Sequence, residues 1–220
     1  MSAVWNLGVV TNNIGYLLAG LRLTIVLSLV SLALGLAVGL VIALLRLSRW
    51  RVLRWTAGLY IDVWRSTPFL AQILWVFYAL PILTGHSLTA FTAGVLTLSC
   101  HASAYLAEVY RAGILGIAPG QRQAALALGM TNAQAAWRIV LPQAVMQMLP
   151  AIGSQSINLC KESALVSIIN LQELMWHAES LAGFTMRSVE ILSATALIYA
   201  LLTYPQALAV NYLHRRQRRA

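Results

Sequence analysis

Residues 123–142 read QAALALGMTNAQAAWRIVLP, a pattern that predicts two short helices joined by a glycine turn. The first helix consists of helix-forming residues and ends at Gly129, since glycine adopts positive φ without a Cβ clash. Thr131 is a good N-cap for the second helix, and Gln134, three residues later, completes a capping box. Ala124, Ala125, Leu128 and Met130 are then available to fill a groove in a partner, although a unit that rests on lipid would have the same pattern.

The chain around this unit is as apolar as an integral membrane protein. Of its 220 residues, 60% are hydrophobic and 10% are charged, which is more apolar surface than a soluble domain of this size can bury. A membrane-spanning helix needs about 20 mostly apolar residues. We therefore predict one all-α membrane domain over residues 1–220, with a loop at about 111–138 and five transmembrane helices, at 16–45, 59–83, 88–110, 139–160 and 189–213.

The arginines predict the orientation of these segments. Short loops rich in Lys and Arg stay in the cytoplasm. Eleven arginines fall on one side of the predicted membrane, at positions 46, 49, 51, 54, 111, 122, 138, 215, 216, 218 and 219. The N-terminus is therefore expected outside and the C-terminus in the cytoplasm. Because the arginines cluster between apolar runs, the formal charge of +9 does not indicate a nucleic-acid-binding protein.

Two local patterns concern the packing of the spans. Gly35 and Gly39 form a GxxxG step that would let a neighbouring helix approach closely, although a membrane helix that merely tolerates glycine would have the same pattern. Thr67-Pro68 predicts a kink or a helix start in the second span, because proline lacks a backbone donor and restricts the residue before it.

The run Gln123-Ala124-Ala125, followed by Gly129, Ile139 and Leu141-Pro142, resembles the EAA loop of ABC importer permeases. Other segments resemble polar amino-acid permeases of the histidine, glutamine and arginine type, and the similarity spans nearly the whole chain. These segments are RSTPFLAQ at 65–72, SAYLAE at 103–108, RAG at 111–113, PGQ at 119–121 and KESALVS at 161–167. One departure is Gln123, where the family usually has Glu, so that a neutral hydrogen bond would replace a charged contact.

The resemblance implies a type I ABC importer permease fold that moves a polar amino acid into the cytoplasm by alternating access. The loop helix would be the coupling helix, with ATPase contacts from Gln123, Ala124, Ala125, Leu128, Gly129 and Met130. Implied partners are an ABC ATPase dimer that binds ATP and Mg²⁺, a second permease chain, identical or paralogous, and a periplasmic or extracellular substrate-binding protein. The implied location is the bacterial cytoplasmic membrane.

Ionisable residues at the end of the fourth span are candidates for the transport path, because charges at that depth are costly unless they face a cavity or partner. Asn158 and Glu162 share a helix face and could accept a substrate ammonium, while Lys161 could meet a carboxylate. Gln72 is a weaker candidate. The alternative, equally open, is that Lys161 snorkels to the interface and Glu162 caps a broken helix. His101 is interpreted as a hydrogen-bonded packing histidine and not as a ligand.

Other functions fit the sequence less well. Without a GxxxxGK[ST] run, the chain is expected to be a transport subunit and not an enzyme, with ATP hydrolysed by another polypeptide. An ion-gradient-driven secondary transporter with Lys161 and Glu162 as coupling residues would be expected to show duplicated spans, which are not visible. No metal site is expected.

The acids Glu173, Glu179 and Glu190 of the predicted outer loop could meet a substrate-delivery protein, or be simply solvated.

Overall fold

The computed structural model describes residues 6–217, and every regular element within them is helical. Arg218 and Arg219, counted above for the orientation, lie outside the described residues. The α-helices are α1 (Leu7–Asn12), α2 (Ile14–Arg46), α3 (Arg51–Ser66), α4 (Phe69–Leu74), α5 (Leu80–Thr84), α6 (Ala90–Leu115), α7 (Pro119–Ala127), α8 (Asn132–Ala135), α9 (Leu141–Glu162), α10 (Leu174–Thr185) and α11 (Ser188–Gln217).

The long helices α2 and α6 pack closely along a stripe of small residues. A Cβ on Gly39 would lie 3.0 Å from both the Leu106 Cβ and the Ser103 carbonyl oxygen, and one on Gly35 would lie 3.0 Å from the Ala102 Cβ. Any side chain at these glycines would push the helices apart, because close approach of two backbones requires small residues. The role predicted for the GxxxG step is confirmed.

The predicted second span is interrupted at Thr67-Pro68, where the sequence predicts a kink or a helix start. Helix α3 ends at Ser66 and α4 begins at Phe69, with Thr67 and Pro68 extended between them. The segments before and after the break are bent by 106°. The prediction of a kink or a helix start at this position is confirmed, and the predicted span over 59–83 consists of two helical segments joined at the break. Proline lacks a backbone donor and disfavours the helical conformation for the residue before it, and here Thr67 is extended and ends α3.

Two other prolines are accommodated without a break. A π-helical turn at Trp75–Ala79 joins α4 to α5 just before Pro81, and another at Ala136–Val140 joins α8 to α9 just before Pro142. In each, the residue before the proline donates its N–H five residues back, from Leu80 to Trp75 and from Leu141 to Ala136. These wider turns keep the helix hydrogen-bonded next to a residue that has no N–H to donate. The second short helix of the loop therefore continues into the predicted fourth span.

Within residues 6–217, three helices are long and apolar enough to cross a membrane, namely Ile14–Arg46, Ala90–Leu115 and Ser188–Arg215, and the bent α3–α5 pair would make a fourth. The predicted count of five spans is not confirmed by this test. The predicted span that is not apolar enough is α9. Its polar side chains are Gln143, Gln147, Ser154, Gln155, Ser156, Asn158, Lys161 and Glu162.

The acidic residues predicted for an exposed outer loop are mostly buried. Glu173 is 0% exposed and caps α10, since its Oε1 accepts from the Trp176 backbone N–H at 2.8 Å. Its Oε2 accepts from the hydroxyls of Thr24 on α2 and Tyr199 on α11, at 3.3 and 2.9 Å. Glu190 is also buried and pairs with Arg187 at 3.0 Å. Contact with a delivery protein and simple solvation, the two alternatives for these acids, both require exposure, and of the three only Glu179 is exposed.

We predict that Glu173→Ala destabilises the fold, because the Tyr199 hydroxyl and the first turn of α10 lose their acceptor. A lost N-cap and a lost hydrogen bond to a buried charge should together lower the free energy of unfolding by about 2–4 kcal/mol. Unfolding in mild detergent, titrated with a denaturing detergent, measures this change. The matched control is Glu179→Ala on the exposed face of α10. Equal stability of the two variants would contradict the structural role of Glu173.

Candidate functional site

The loop between α6 and α9 forms the helix, glycine turn and helix that its sequence predicts. Gly129 has φ +82 after α7, in the left-handed region that favours glycine. The capping box at α8 is complete: the Gln134 N–H donates to Thr131 Oγ1 at 3.2 Å, and the Thr131 N–H donates to Gln134 Oε1 at 2.9 Å. Arg122 Nη2 also donates to Asn132 Oδ1 at 2.9 Å, which ties α7 to α8.

We define the docking unit as residues 119–135, the two short helices and the turn between them. The turn presents an apolar residue to the exterior. Leu128 is 84% exposed, while Gln123 and Ala124 are exposed beside it on α7. Ala125 is only 4% exposed and packs within the chain, and Met130 is partly buried. An exposed leucine at a rigidly capped turn is suited to enter a groove in another protein.

A second cluster of polar residues lies at the break between α3 and α4. From α4, Gln72 Nε2 faces oxygen atoms at the end of α3 and in the break, the Trp64 carbonyl at 2.8 Å and Thr67 Oγ1 at 2.6 Å. Its Oε1 lies 2.8 Å from His101 Nδ1 on α6. Because carbonyl oxygens only accept, Gln72 must present its NH₂ to the break and its oxygen to His101. The His101 Nδ1 therefore carries a proton and donates it to Gln72.

The same histidine faces Glu162 at the end of α9. His101 Nε2 lies 3.6 Å from Glu162 Oε1, and His101 is 5% exposed while Glu162 remains partly exposed. Because the imidazole proton is on Nδ1, a neutral His101 would present the Nε2 lone pair to the lone pairs of a carboxylate. The two side chains attract each other only when Nε2 or the Glu162 carboxylate carries a further proton. Gln72 and Glu162, both predicted from sequence, thus both lie next to His101, which is buried and hydrogen-bonded as the sequence predicted.

The other two predicted path residues lie apart from this chain of contacts. Asn158 and Lys161 are exposed on α9, and neither is hydrogen-bonded to Gln72, His101 or Glu162 in the described part of the chain. Of the three candidates on α9, Glu162 is the one that faces His101.

A cavity of about 430 Å³ opens between α3, α6 and α9. Its walls carry charges of both signs, Arg65 on α3 and Glu108 on α6. The Arg65 guanidinium lies 5.1 Å from the ring centroid of Tyr105, a cation–π distance, and Glu108 also pairs with Arg111 at 2.7 Å. Amide side chains of Gln147 and Gln155 complete the polar lining. Sequence reasoning did not assign this site, although Arg65 and Glu108 lie within segments that carried the family resemblance.

Comparison with known proteins decides the family. Residues 35–219 match the model of the family described as "Binding-protein-dependent transport system inner membrane component". The chain belongs to this family.

Relatives of this permease cover nearly its full length. It is 38% identical to the arginine transport system permease protein ArtQ of Bacillus subtilis, over 86% of each chain. It is 32% identical to the glutamine transport system permease protein GlnP of Escherichia coli K12, over 99% of this chain and 97% of that one. A solved structure described as an amino acid ABC transporter with histidines matches with TM-score 0.90 and 35% identity, over 97% of this chain and 99% of the other.

These similarities establish the type I ABC permease fold and a role as the permease subunit of an ABC importer. They do not support the alternative of an ion-gradient-driven secondary transporter. The chain is therefore a transport subunit by family, as the sequence predicted.

We predict that Gly129→Val uncouples the permease while leaving it inserted in the membrane. A β-branched residue is strained at φ +82, so the turn that presents Leu128 should be displaced. Transport by the assembled transporter should fall by at least about tenfold. A tenfold fall corresponds to roughly 1.4 kcal/mol of backbone strain or of lost contact at the displaced turn. Gly120→Val is the matched control, because Gly120 lies at the start of α7 and nothing lies within 4 Å of its Cβ position. Normal transport by Gly129→Val would contradict the docking role.

Proposed function

We propose that this chain is the permease of an importer for a polar amino acid in the bacterial cytoplasmic membrane. The observation that carries the proposal is the cavity between α3, α6 and α9, where Arg65 and Glu108 offer opposite charges to one small molecule. A zwitterionic amino acid has a carboxylate and an ammonium that such a pair complements. Relatives named for arginine and glutamine transport support the same substrate class.

The proposed arrangement has five membrane crossings, with the N-terminus outside and the C-terminus in the cytoplasm. The bent pair α3–α5 supplies one crossing and α9 another. The low apolar content of α9 is compatible with a crossing, because a spanning helix tolerates polar residues on a face that lines a water-filled path. Its polar residues Asn158, Lys161 and Glu162, together with Gln72, would line that path, with the His101–Glu162 pair at its narrow part.

The docking unit would contact an ATPase subunit through Gln123, Ala124, Leu128, Gly129 and Met130. Two such subunits, binding ATP and Mg²⁺, would drive a pair of permease chains, identical or paralogous, between inward-open and outward-open states. A periplasmic or extracellular binding protein would deliver the amino acid. Gln123 would donate or accept a neutral hydrogen bond in the ATPase groove, and the exposed Leu128 would supply the apolar contact.

The experiment that tests this function is purification of the tagged chain from its native membrane, with mass identification of the proteins that accompany it. We expect a P-loop ATPase in the complex, and ATP-dependent amino-acid uptake after reconstitution into vesicles. Purification of the chain alone, with amino-acid uptake on an ion gradient and without ATP, would contradict the proposal.

Glu162 lies outside the cavity that Glu108 lines and would meet the substrate ammonium elsewhere along the proposed path. We predict that Glu162→Gln raises the substrate concentration for half-maximal uptake by about tenfold, since this charge-assisted contact becomes neutral. The change keeps the shape of the side chain, so assembly with the ATPase should be unaffected. Glu179→Gln, on the exposed face of α10, is the matched control. An unchanged concentration dependence in Glu162→Gln would leave Glu162 as a structural partner of His101 only.

A further inference from the structure

A dense group of arginines lies where α2 ends and α3 begins. Arg46, Arg49, Arg51 and Arg54 fall within nine positions of the chain. Apolar side chains project between them, with Val52 71% exposed and Trp55 67% exposed. The opposite face of α3 is already used inside the fold, where Ile61 packs with Ala43 and Ala107. The arginines and tryptophans therefore form an outward surface that none of the described residues covers.

Two adjoining grooves cross this surface and share Arg46 and Arg54. One has a volume of about 440 Å³ and is lined by Arg46, Arg51, Val52, Arg54 and Trp55. The other has a volume of about 490 Å³ and is lined by Arg46, Leu47, Ser48, Arg54, Arg111 and Leu115. Each groove thus combines guanidinium groups with an apolar wall.

The guanidinium of Arg46 is held in place at the centre of the two grooves. Its Nη1 donates to the Arg54 carbonyl oxygen at 3.0 Å. It also lies against Gly58 on α3, where an added Cβ would be 2.8 Å from Nη1. Gly58 therefore leaves the space in which the guanidinium rests. A side chain fixed before binding loses less entropy when it binds a ligand.

The positive charge of this group is not neutralised within the chain. Among residues 6–217, no carboxylate lies within 4.0 Å of Arg46, Arg51 or Arg54, whereas Arg111 at the edge of the second groove pairs with Glu108. Several like charges held together, without acidic partners, attract an anion.

We propose that this surface, residues 46–55 with Arg111, is a binding site for the headgroup of an anionic membrane phospholipid. Arg46 and Arg54 would hold the phosphate, because guanidinium groups match phosphate oxygens in pairs. Val52 and Trp55 would lie against the acyl chains. The lipid is favoured over a protein partner because Arg46 is the last residue of α2, the most apolar candidate span, and so lies where the headgroups begin. A basic helix with exposed tryptophan and valine is typical of such membrane-surface segments.

The test uses the purified permease complex, delipidated in detergent and then titrated with phosphatidylglycerol or phosphatidylcholine, with bound lipid counted by native mass spectrometry. We expect phosphatidylglycerol to be retained and phosphatidylcholine to be washed out. Arg46→Gln and Arg54→Gln should each weaken retention of phosphatidylglycerol about tenfold, because each removes one charge-assisted contact. Gly58→Ala should also weaken retention, because it displaces the Arg46 guanidinium without removing its charge.

The matched control is Arg138→Gln, which removes one charge from an exposed arginine outside the two grooves and should leave retention unchanged. Equal retention of the two lipids by the unmodified complex would overturn the proposal, as would equal retention by Arg46→Gln and Arg138→Gln. Displacement of phosphatidylglycerol by millimolar inorganic phosphate would overturn the assignment to a lipid and leave a simple anion site. Loss of a co-purifying protein from Arg54→Gln, with lipid retained, would instead assign the surface to that protein.

Discussion

The polar part of this structure depends on the amide of Gln72. A helix broken inside a membrane leaves backbone carbonyls with no water to satisfy them, and each costs several kcal/mol if it stays unpaired. Gln72 meets this requirement with its NH₂, which reaches the Trp64 carbonyl and the Thr67 hydroxyl. Its remaining oxygen accepts from His101 and so connects the break to α6, and through His101 to Glu162 on α9. One side chain thereby both stabilises the bend and links three helices.

The prolines show two solutions to the same constraint. At Pro68 the chain bends, and a side chain replaces the lost backbone pairing. At Pro81 and Pro142 a π-helical turn lets the preceding residue donate five positions back, and the helix continues. In the second case α8 continues through the turn into α9, whose last residue is Glu162. The proposed ATPase contact and the proposed path would therefore be connected by continuous helical structure.

Much of the fold and one of the two candidate sites could be predicted from local sequence. The capping box at Thr131, the turn at Gly129, the GxxxG step and the break at Thr67-Pro68 are all encoded within a few residues, and each was confirmed. The features that could not be predicted from local sequence depend on contacts between residues far apart in the chain. His101 meets Gln72 across 29 residues, and Glu173 meets Thr24 across 149. Glu173 looked like a solvated loop acid because no local pattern indicates that hydroxyls from α2 and α11 converge on it. The predicted fourth span, 139–160, already contains Pro142, but no local pattern indicates the π-helical turn that joins it to α8.

The central claim is that the amino acid passes along the polar face of α9, near Glu162. The most direct measurement is the reaction of a membrane-impermeant thiol reagent with Asn158→Cys, in a background in which Cys100→Ala and Cys160→Ala remove the native thiols. Val41→Cys, on the exposed apolar face of α2, is the control. The account predicts that Asn158→Cys reacts, that saturating amino acid slows the reaction, and that Val41→Cys does not react. Resistance of Asn158→Cys to the reagent, or a reaction rate unaffected by the amino acid, would contradict it.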